Sequence, residues 1–156
     1  MKLRHQASRR GFLHLTGLLG LATSVLALAP RFAFAAWNKA AFETKSPADA
    51  YKALGVSSPI ASGDIRINAS DIAENGAVVP VEVISKIPNT SQISLLVDKN
   101  PTTLTAQFDL GPDVLSEIST RLKMAETSNI IALVKADGKF YTASKEIKVT
   151  LGGCGG

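Results

Sequence analysis

Residues 130–144 read Ile-Ile-Ala-Leu-Val-Lys-Ala-Asp-Gly-Lys-Phe-Tyr-Thr-Ala-Ser, the clearest structural signal in the chain. The apolar run as far as Lys135 predicts a strand. Asp137-Gly138 is typical of a tight two-residue turn between antiparallel strands. The residues from Phe140 to Ser144 predict the returning strand. The stretch therefore predicts a β-hairpin.

A period of two continues on both sides of this hairpin. Upstream, apolar residues from Leu104 to Leu110 alternate with Thr105, Gln107 and Asp109. Similar alternation predicts strands around the following residues: Ile65, Val79, Ile93, Leu122 and Ile147–Leu151. Pro80 predicts an edge or a bulge, because proline cannot donate to the ladder. About seven or eight short strands, with turns roughly every ten residues, predict a mainly β fold, an immunoglobulin-like antiparallel β-sandwich.

A short helix is predicted before the first strand. Ser46 can cap its N-terminus, Pro47 suits its first turn, and Asp49 favours its positive end. Gly55 is a plausible end for this helix. Further along, Glu74-Asn75-Gly76 predicts a turn.

Residues 1–35 predict an export signal rather than part of the fold. Ser8-Arg9-Arg10-Gly11-Phe12-Leu13 is a twin-arginine sequence, and an apolar run from Leu15 to Leu28 follows it. Ala33-Phe34-Ala35 offers the small residues that a signal peptidase recognises, so we expect cleavage after Ala35 and a periplasmic protein. A membrane anchor is the alternative, but the run is short for a span of about 20 residues. Three parts are therefore expected: the signal (1–35), a β-sandwich domain with an N-terminal helix (36–151) and an arm (152–156).

Removal of the signal would change the charge and the chemistry of the chain. Five of the 17 basic residues and both histidines lie in residues 1–35, so 12 basic and 13 acidic residues would remain, a net charge of −1. The basic face that nucleic-acid binding relies on is then absent. Without histidine and with one cysteine, a Ser-His-Asp or Cys-His active site, a Cys/His zinc site and an internal disulfide are excluded. We expect no metal and no cofactor.

The chemistry-bearing motif is Gly152-Gly153-Cys154-Gly155-Gly156. Glycine has the widest backbone freedom, so we expect a flexible arm of Gly152, Gly153, Gly155 and Gly156 around the Cys154 thiol. Three residues from Leu151 to Cys154 reach about 10 Å when extended. A buried structural cysteine does not fit glycine neighbours, and prenylation needs three residues after the cysteine. An engineered labelling tail and a disulfide-linked dimer remain as alternatives.

The chain resembles the SoxY family, the sulfur-carrier proteins of the periplasmic thiosulfate-oxidising Sox system. The resemblance rests first on the ending Lys148-Val149-Thr150-Leu151 before the glycine arm. It extends to Ile72-Ala73-Glu74-Asn75-Gly76, to Val79-Pro80-Val81 and to residues 119–125, and the twin-arginine signal also matches. It covers most of residues 36–156.

The resemblance implies a substrate carrier and not an enzyme. Cys154 would be the covalent attachment site for sulfur intermediates, first a cysteine S-thiosulfonate and then a persulfide. The implied partners are a SoxZ-like subunit in a heterodimer and, transiently, SoxAX-, SoxB- and SoxCD-like enzymes. These enzymes would carry out the reactions on the thiol that Cys154 presents.

Three functions compete at this point. A thiol becomes strongly nucleophilic when a nearby cation or helix N-terminus lowers its pKa, and the nearest basic residue in sequence is Lys148, six positions earlier. A carrier whose thiol is activated in a partner's pocket fits this arrangement. A single-cysteine peroxidase or thiol transferase would need its own cationic pocket. The remaining alternative is a periplasmic β-sandwich interaction module that uses Cys154 for an intermolecular disulfide.

Overall fold

The structure is a computed structural model that describes residues 38–151. These residues form two short helices and nine strands. The helices are α1 (Lys39–Phe42) and α2 (Pro47–Ala53). The strands, in chain order, are β1 (Ile60–Ala61), β2 (Ile65–Asn68), β3 (Ile72–Ala73), β4 (Val79–Ser85), β5 (Thr90–Val97), β6 (Leu104–Asp109), β7 (Glu117–Leu122), β8 (Ser128–Ala136) and β9 (Lys139–Val149).

The strands form two sheets. The larger has the order β1-β9-β8-β5-β6, with β3 also paired to β9, and the smaller has the order β2-β4-β7. Most neighbours are antiparallel. The exceptions are two-residue parallel pairings of β1 and β3 with β9, which the sequence did not predict. The predicted mainly β, immunoglobulin-like sandwich is confirmed.

The core lies between the two sheets. Val79, Val81 and Val83 of the smaller sheet are buried in one cluster with residues of β5, β8 and β9. The outer face of the larger sheet is covered as well, because Leu96 and Leu133 pack beneath the two helices. Strand β8 is therefore buried on both faces, which explains its continuous apolar run.

The hairpin between β8 and β9 forms at the predicted turn. Asp137 and Gly138 have φ angles of 47° and 74°, the left-handed values that a type I′ turn requires. Strand β9 then continues unbroken for 11 residues. The prediction of two separate strands here was wrong, because β9 keeps its pairing with β8 from Lys139 through to Ile147.

The helix α2 begins and ends as predicted. Ser46 is its N-cap and accepts a hydrogen bond from the Asp49 backbone N–H. Gly55, at φ 72°, ends it, with hydrogen bonds from Gly55 N to Lys52 O and from Val56 N to Tyr51 O. Helix α1 was not predicted.

Pro80 lies at a local edge of the smaller sheet. It pairs in register with Arg121 of β7, whereas the pairing of β4 with β2 stops at Glu82. The missing N–H of Pro80 therefore costs no hydrogen bond to β2, which agrees with the predicted edge.

Candidate functional site

The predicted carrier residue Cys154 and its glycines, Gly152, Gly153, Gly155 and Gly156, lie outside the described residues. The predicted signal, residues 1–35, also lies outside them. The structure instead defines the place from which the arm departs, the end of β9 and the two residues that follow it, Thr150 and Leu151. We call residues 149–151 the arm root.

A neighbouring segment, residues 71–76, runs beside the arm root, and we call it the strap. Its strand β3 pairs in parallel with β9, so that Ile72 lies opposite Lys148 and Ala73 opposite Val149. The Lys148 backbone N–H donates to Asp71 O over 2.9 Å. Ile147 is the last residue of β9 that pairs with β8, and β3 continues the pairing of β9 beyond it.

The strap continues to hold the chain past the end of β9. The Thr150 backbone N–H donates to Ala73 O at 3.1 Å, and the Thr150 hydroxyl donates to Glu74 O at 3.0 Å. The Gly76 N–H then donates to Leu151 O at 2.7 Å. Every backbone position from Lys148 to Leu151 is therefore hydrogen-bonded, because Val149 N also donates to the Thr127 hydroxyl at 2.9 Å.

An ion pair fastens the start of the strap to β9. The Lys145 Nζ lies 2.9 Å from Asp71 Oδ1 and donates to Ala69 O at 2.6 Å. The hydrogen bond and the charge of Lys145 hold the pKa of the Asp71 carboxyl below its ordinary value, and the charge of Lys148 acts in the same direction. The Asp71 side chain is 86% exposed, so water and salt screen this attraction.

Exposed apolar side chains flank the arm root. Leu151 is 66% exposed, Ile72 is 56% exposed and Val78 is 54% exposed. Ile72 precedes the residue that pairs with Val149, and Val78 lies two positions after the residue bonded to Leu151. The strap, the residues just after it and the arm root therefore carry exposed apolar side chains among the exposed charged residues Asp71, Glu74 and Lys148.

Metal-binding clusters and membrane-spanning helices are both absent from the part of the chain that the structure describes. Within residues 38–151, His, Cys, Asp and Glu side chains nowhere gather in a group of three or more that could hold a metal ion. No helix in this range has the length and apolarity to cross a membrane.

The sequence indicated this site only in part. Glu74-Asn75-Gly76 was predicted as a turn, and the Asn75 side chain does accept from Ala77 N at 2.8 Å, as expected of an Asn-led turn. The roles of Thr150, Thr127 and Gly76 at the arm root were missed. Most of their bonds involve backbone atoms, which leave no pattern in the side chains.

The fold is also found in a known protein. The structure is similar to the solved structure of the sulfur carrier protein SoxY from Chlorobium limicola f thiosulfatophilum, with a TM-score of 0.60 and 44% sequence identity. The match covers 66% of this chain and 94% of that one. No curated protein sequence matches the chain.

By this similarity, the chain has the fold of a sulfur carrier protein. The family model described as sulfur oxidation protein SoxY matches residues 50–154, so the match runs from α2 through the strap and β9 as far as Cys154. The chain belongs to the SoxY family of sulfur oxidation proteins.

Proposed function

We propose that this protein is the periplasmic carrier on which thiosulfate is oxidised, with the intermediates bound covalently to the sulfur of Cys154. The observation that carries the proposal is the family match, which continues past the described domain and ends on that residue. The arm root supports it, because a domain that fastens its chain as far as Leu151 leaves a tether of only three residues to the thiol.

The proposed chemistry proceeds on the thiol in up to four steps. First the Cys154 sulfur and the terminal sulfur of thiosulfate form an S–S bond, the thiol loses its proton, and two electrons pass to a haem enzyme of the SoxAX kind. Water then attacks the terminal sulfone on a SoxB-like hydrolase, releasing sulfate and leaving a persulfide. A SoxCD-like dehydrogenase, where the host has one, oxidises the outer persulfide sulfur to a sulfone with three oxygens from water, releasing six protons and passing six electrons to its electron acceptor, and a second hydrolysis then releases sulfate and returns the thiol.

The chain's own part in this cycle is to present the thiol. The exposed apolar side chains of Ile72, Val78 and Leu151 give a visiting enzyme a surface to contact beside the arm. We propose a SoxZ-like subunit as the permanent partner, and twin-arginine export as the route to the periplasm. The reactive groups that activate the thiol belong to the visiting enzymes, so the protein is a carrier and not an enzyme.

Mass spectrometry of the C-terminal peptide from thiosulfate-grown cells tests this function. The carrier predicts additions of sulfur or thiosulfonate on Cys154. Sulfinic or sulfonic products alone would indicate a peroxidase, and a mixed disulfide alone would indicate the interaction module. Cells grown without reduced sulfur are the control, in which the carrier adducts should be absent.

A further inference from the structure

The buried side chain of Asn100 is connected to the arm root through hydrogen bonds of the backbone between them. The Asn100 side chain, 9% exposed, sits in the loop between β5 and β6. Its Nδ2 donates to Lys123 O at 2.7 Å, and its Oδ1 accepts from Ala125 N at 2.9 Å. The two bonds hold the chain on either side of Met124, and the Asn100 amide supplies one donor and one acceptor for them.

Met124 connects the segment that Asn100 holds to the strap. Its backbone N–H donates to Gly76 O at 2.7 Å, and the Met124 side chain is fully buried in the core. Gly76 in turn donates its own N–H to Leu151 O, also at 2.7 Å. The backbone of Gly76 thus lies between the chain that leaves β7 and the chain that leaves β9, with one bond to each.

These bonds form a continuous series from Asn100 to Leu151. Met124 is held in place by Asn100, Gly76 is held by Met124, and the Leu151 carbonyl is held by Gly76. We propose that Asn100 is a positioning residue for the carrier thiol, which fixes the point at Leu151 from which Cys154 is tethered. The effect on delivery of the thiol rests on the proposed carrier function. The effect on the position of Leu151 does not.

The length of the tether gives the expected size of the effect. With Leu151 fixed, three residues allow Cys154 to explore a sphere of about 10 Å radius. Release of Leu151 alone lengthens the tether to four residues and about 13 Å, so the volume within reach of the thiol grows about twofold. Fraying back to Lys148, which would also break the bonds of Val149 and Thr150, sets the upper limit of six residues, about 20 Å and about eightfold. The effective concentration of the thiol at the entrance of a docked enzyme would fall by about the same factor.

The test compares three variants with the parent. Asn100→Asp keeps the acceptor for Ala125 N but places a carboxylate oxygen against Lys123 O. Thr150→Val removes the hydroxyl bond to Glu74 O at the root itself, and it does so on an exposed side chain. The matched control is Asn38→Asp, because Asn38 likewise accepts from a backbone N–H, that of Ala41, and donates to a backbone carbonyl, that of Ala53.

The first readout is the distance distribution between spin labels on Cys154 and on a cysteine introduced at exposed Ser144, measured by pulsed electron paramagnetic resonance. We expect a broader distribution in Asn100→Asp and Thr150→Val and an unchanged one in Asn38→Asp. Faster hydrogen exchange of the Met124 and Gly76 amides should accompany the broadening in Asn100→Asp. Equal distributions in Asn100→Asp and Asn38→Asp would overturn the proposal.

The second readout, without the added cysteine, is kcat/KM for enzymatic conjugation of thiosulfate. It should fall by up to about eightfold in Asn100→Asp and Thr150→Val, while the rate with a small alkylating reagent stays the same. A broader distribution with unchanged kcat/KM would also overturn the role in delivery. If the parent itself is not conjugated, the carrier function fails, and the spin-label comparison still decides whether Asn100 fixes the root.

Discussion

The Thr150 hydroxyl donates to the Glu74 carbonyl over 3.0 Å, although 76 positions separate the two residues in the chain. This bond belongs to the set that fastens the end of β9 to the strap. It means that the described domain ends in an ordered edge and not in a frayed strand. The proposed carrier residue, Cys154, follows the last fastened residue, Leu151, by three positions in the sequence.

The proposed carrier role predicts that the Cys154 sulfur is indispensable. We expect Cys154→Ser to abolish thiosulfate-dependent reduction of the electron acceptor in a reconstituted Sox system, because a hydroxyl cannot form the S–S bond. The thermal unfolding midpoint and binding to the SoxZ-like subunit should match the parent, since the substitution changes one atom of one side chain. Oxidation of thiosulfate at the parental rate would refute the carrier assignment.

The four glycines next to Cys154 predict passage through a narrow channel and not flexibility alone, because a flexible linker could equally use serine. Gly153→Val and Gly155→Val should react normally with a small alkylating reagent but fail with the Sox enzymes. A β-branched side chain also stiffens the backbone, so Gly153→Ala and Gly155→Ala serve as milder controls. Parental turnover of both valine variants would leave reach as the only purpose of the arm.

Asp71 and Lys145 predict a stability difference that depends on pH. Because the folded protein lowers the Asp71 pKa below its ordinary value of 3.8, the carboxylate contributes stability above that pH. The contribution is lost as the pH falls through the lower, folded pKa. Urea unfolding of the parent and Asp71→Asn should show a small advantage for the parent at pH 6 that vanishes in strong acid. High salt should reduce the advantage at pH 6. An advantage that is the same at every pH would contradict the ion-pair explanation.

The hairpin turn predicts opposite effects for two glycine substitutions. A Cβ would meet nothing within 4 Å at either Gly138 or Gly63, but only Gly138 has a positive φ, at 74°. Gly138→Ala should lower the free energy of unfolding by about 1–2 kcal/mol through backbone strain. Gly63→Ala should leave it unchanged or raise it by about 0.4–1 kcal/mol, because alanine restricts the unfolded chain. Equal effects in chemical denaturation would show that the strain is absent.

The twin-arginine sequence predicts joint export. This route moves folded proteins, so we expect the chain to fold in the cytoplasm and to carry a SoxZ-like subunit without its own signal. Replacing Arg9 and Arg10 by lysine should leave both subunits in the cytoplasmic fraction on immunoblots, whereas Arg4→Lys should not. A partner that still reaches the periplasm would show that the subunits are exported separately.

The class of fold, the two ends of α2 and the central turn could be predicted from the sequence alone. Successive side chains of a strand point to opposite faces of the sheet, so apolar residues at every second position share one face. Val79, Val81 and Val83 follow this pattern and are buried. Ser46 and Asp137-Gly138 act through bonds and dihedral angles within a few residues, which local sequence encodes. The glycine–cysteine motif and its family resemblance likewise needed no coordinates.

Only the tertiary structure decided how the end of β9 is held. The parallel pairing of β3 with β9 and the bonds of Gly76 join backbone groups that are distant in the chain, and such bonds are open to almost any side chain. Asn100 lies in another loop, 23 and 25 positions before its hydrogen-bond partners Lys123 and Ala125. Nothing in the sequence around Asn100 therefore indicates these partners. Periodicity reports which face a residue turns to the core, whereas the identity of a distant neighbour depends on how the two sheets fold together.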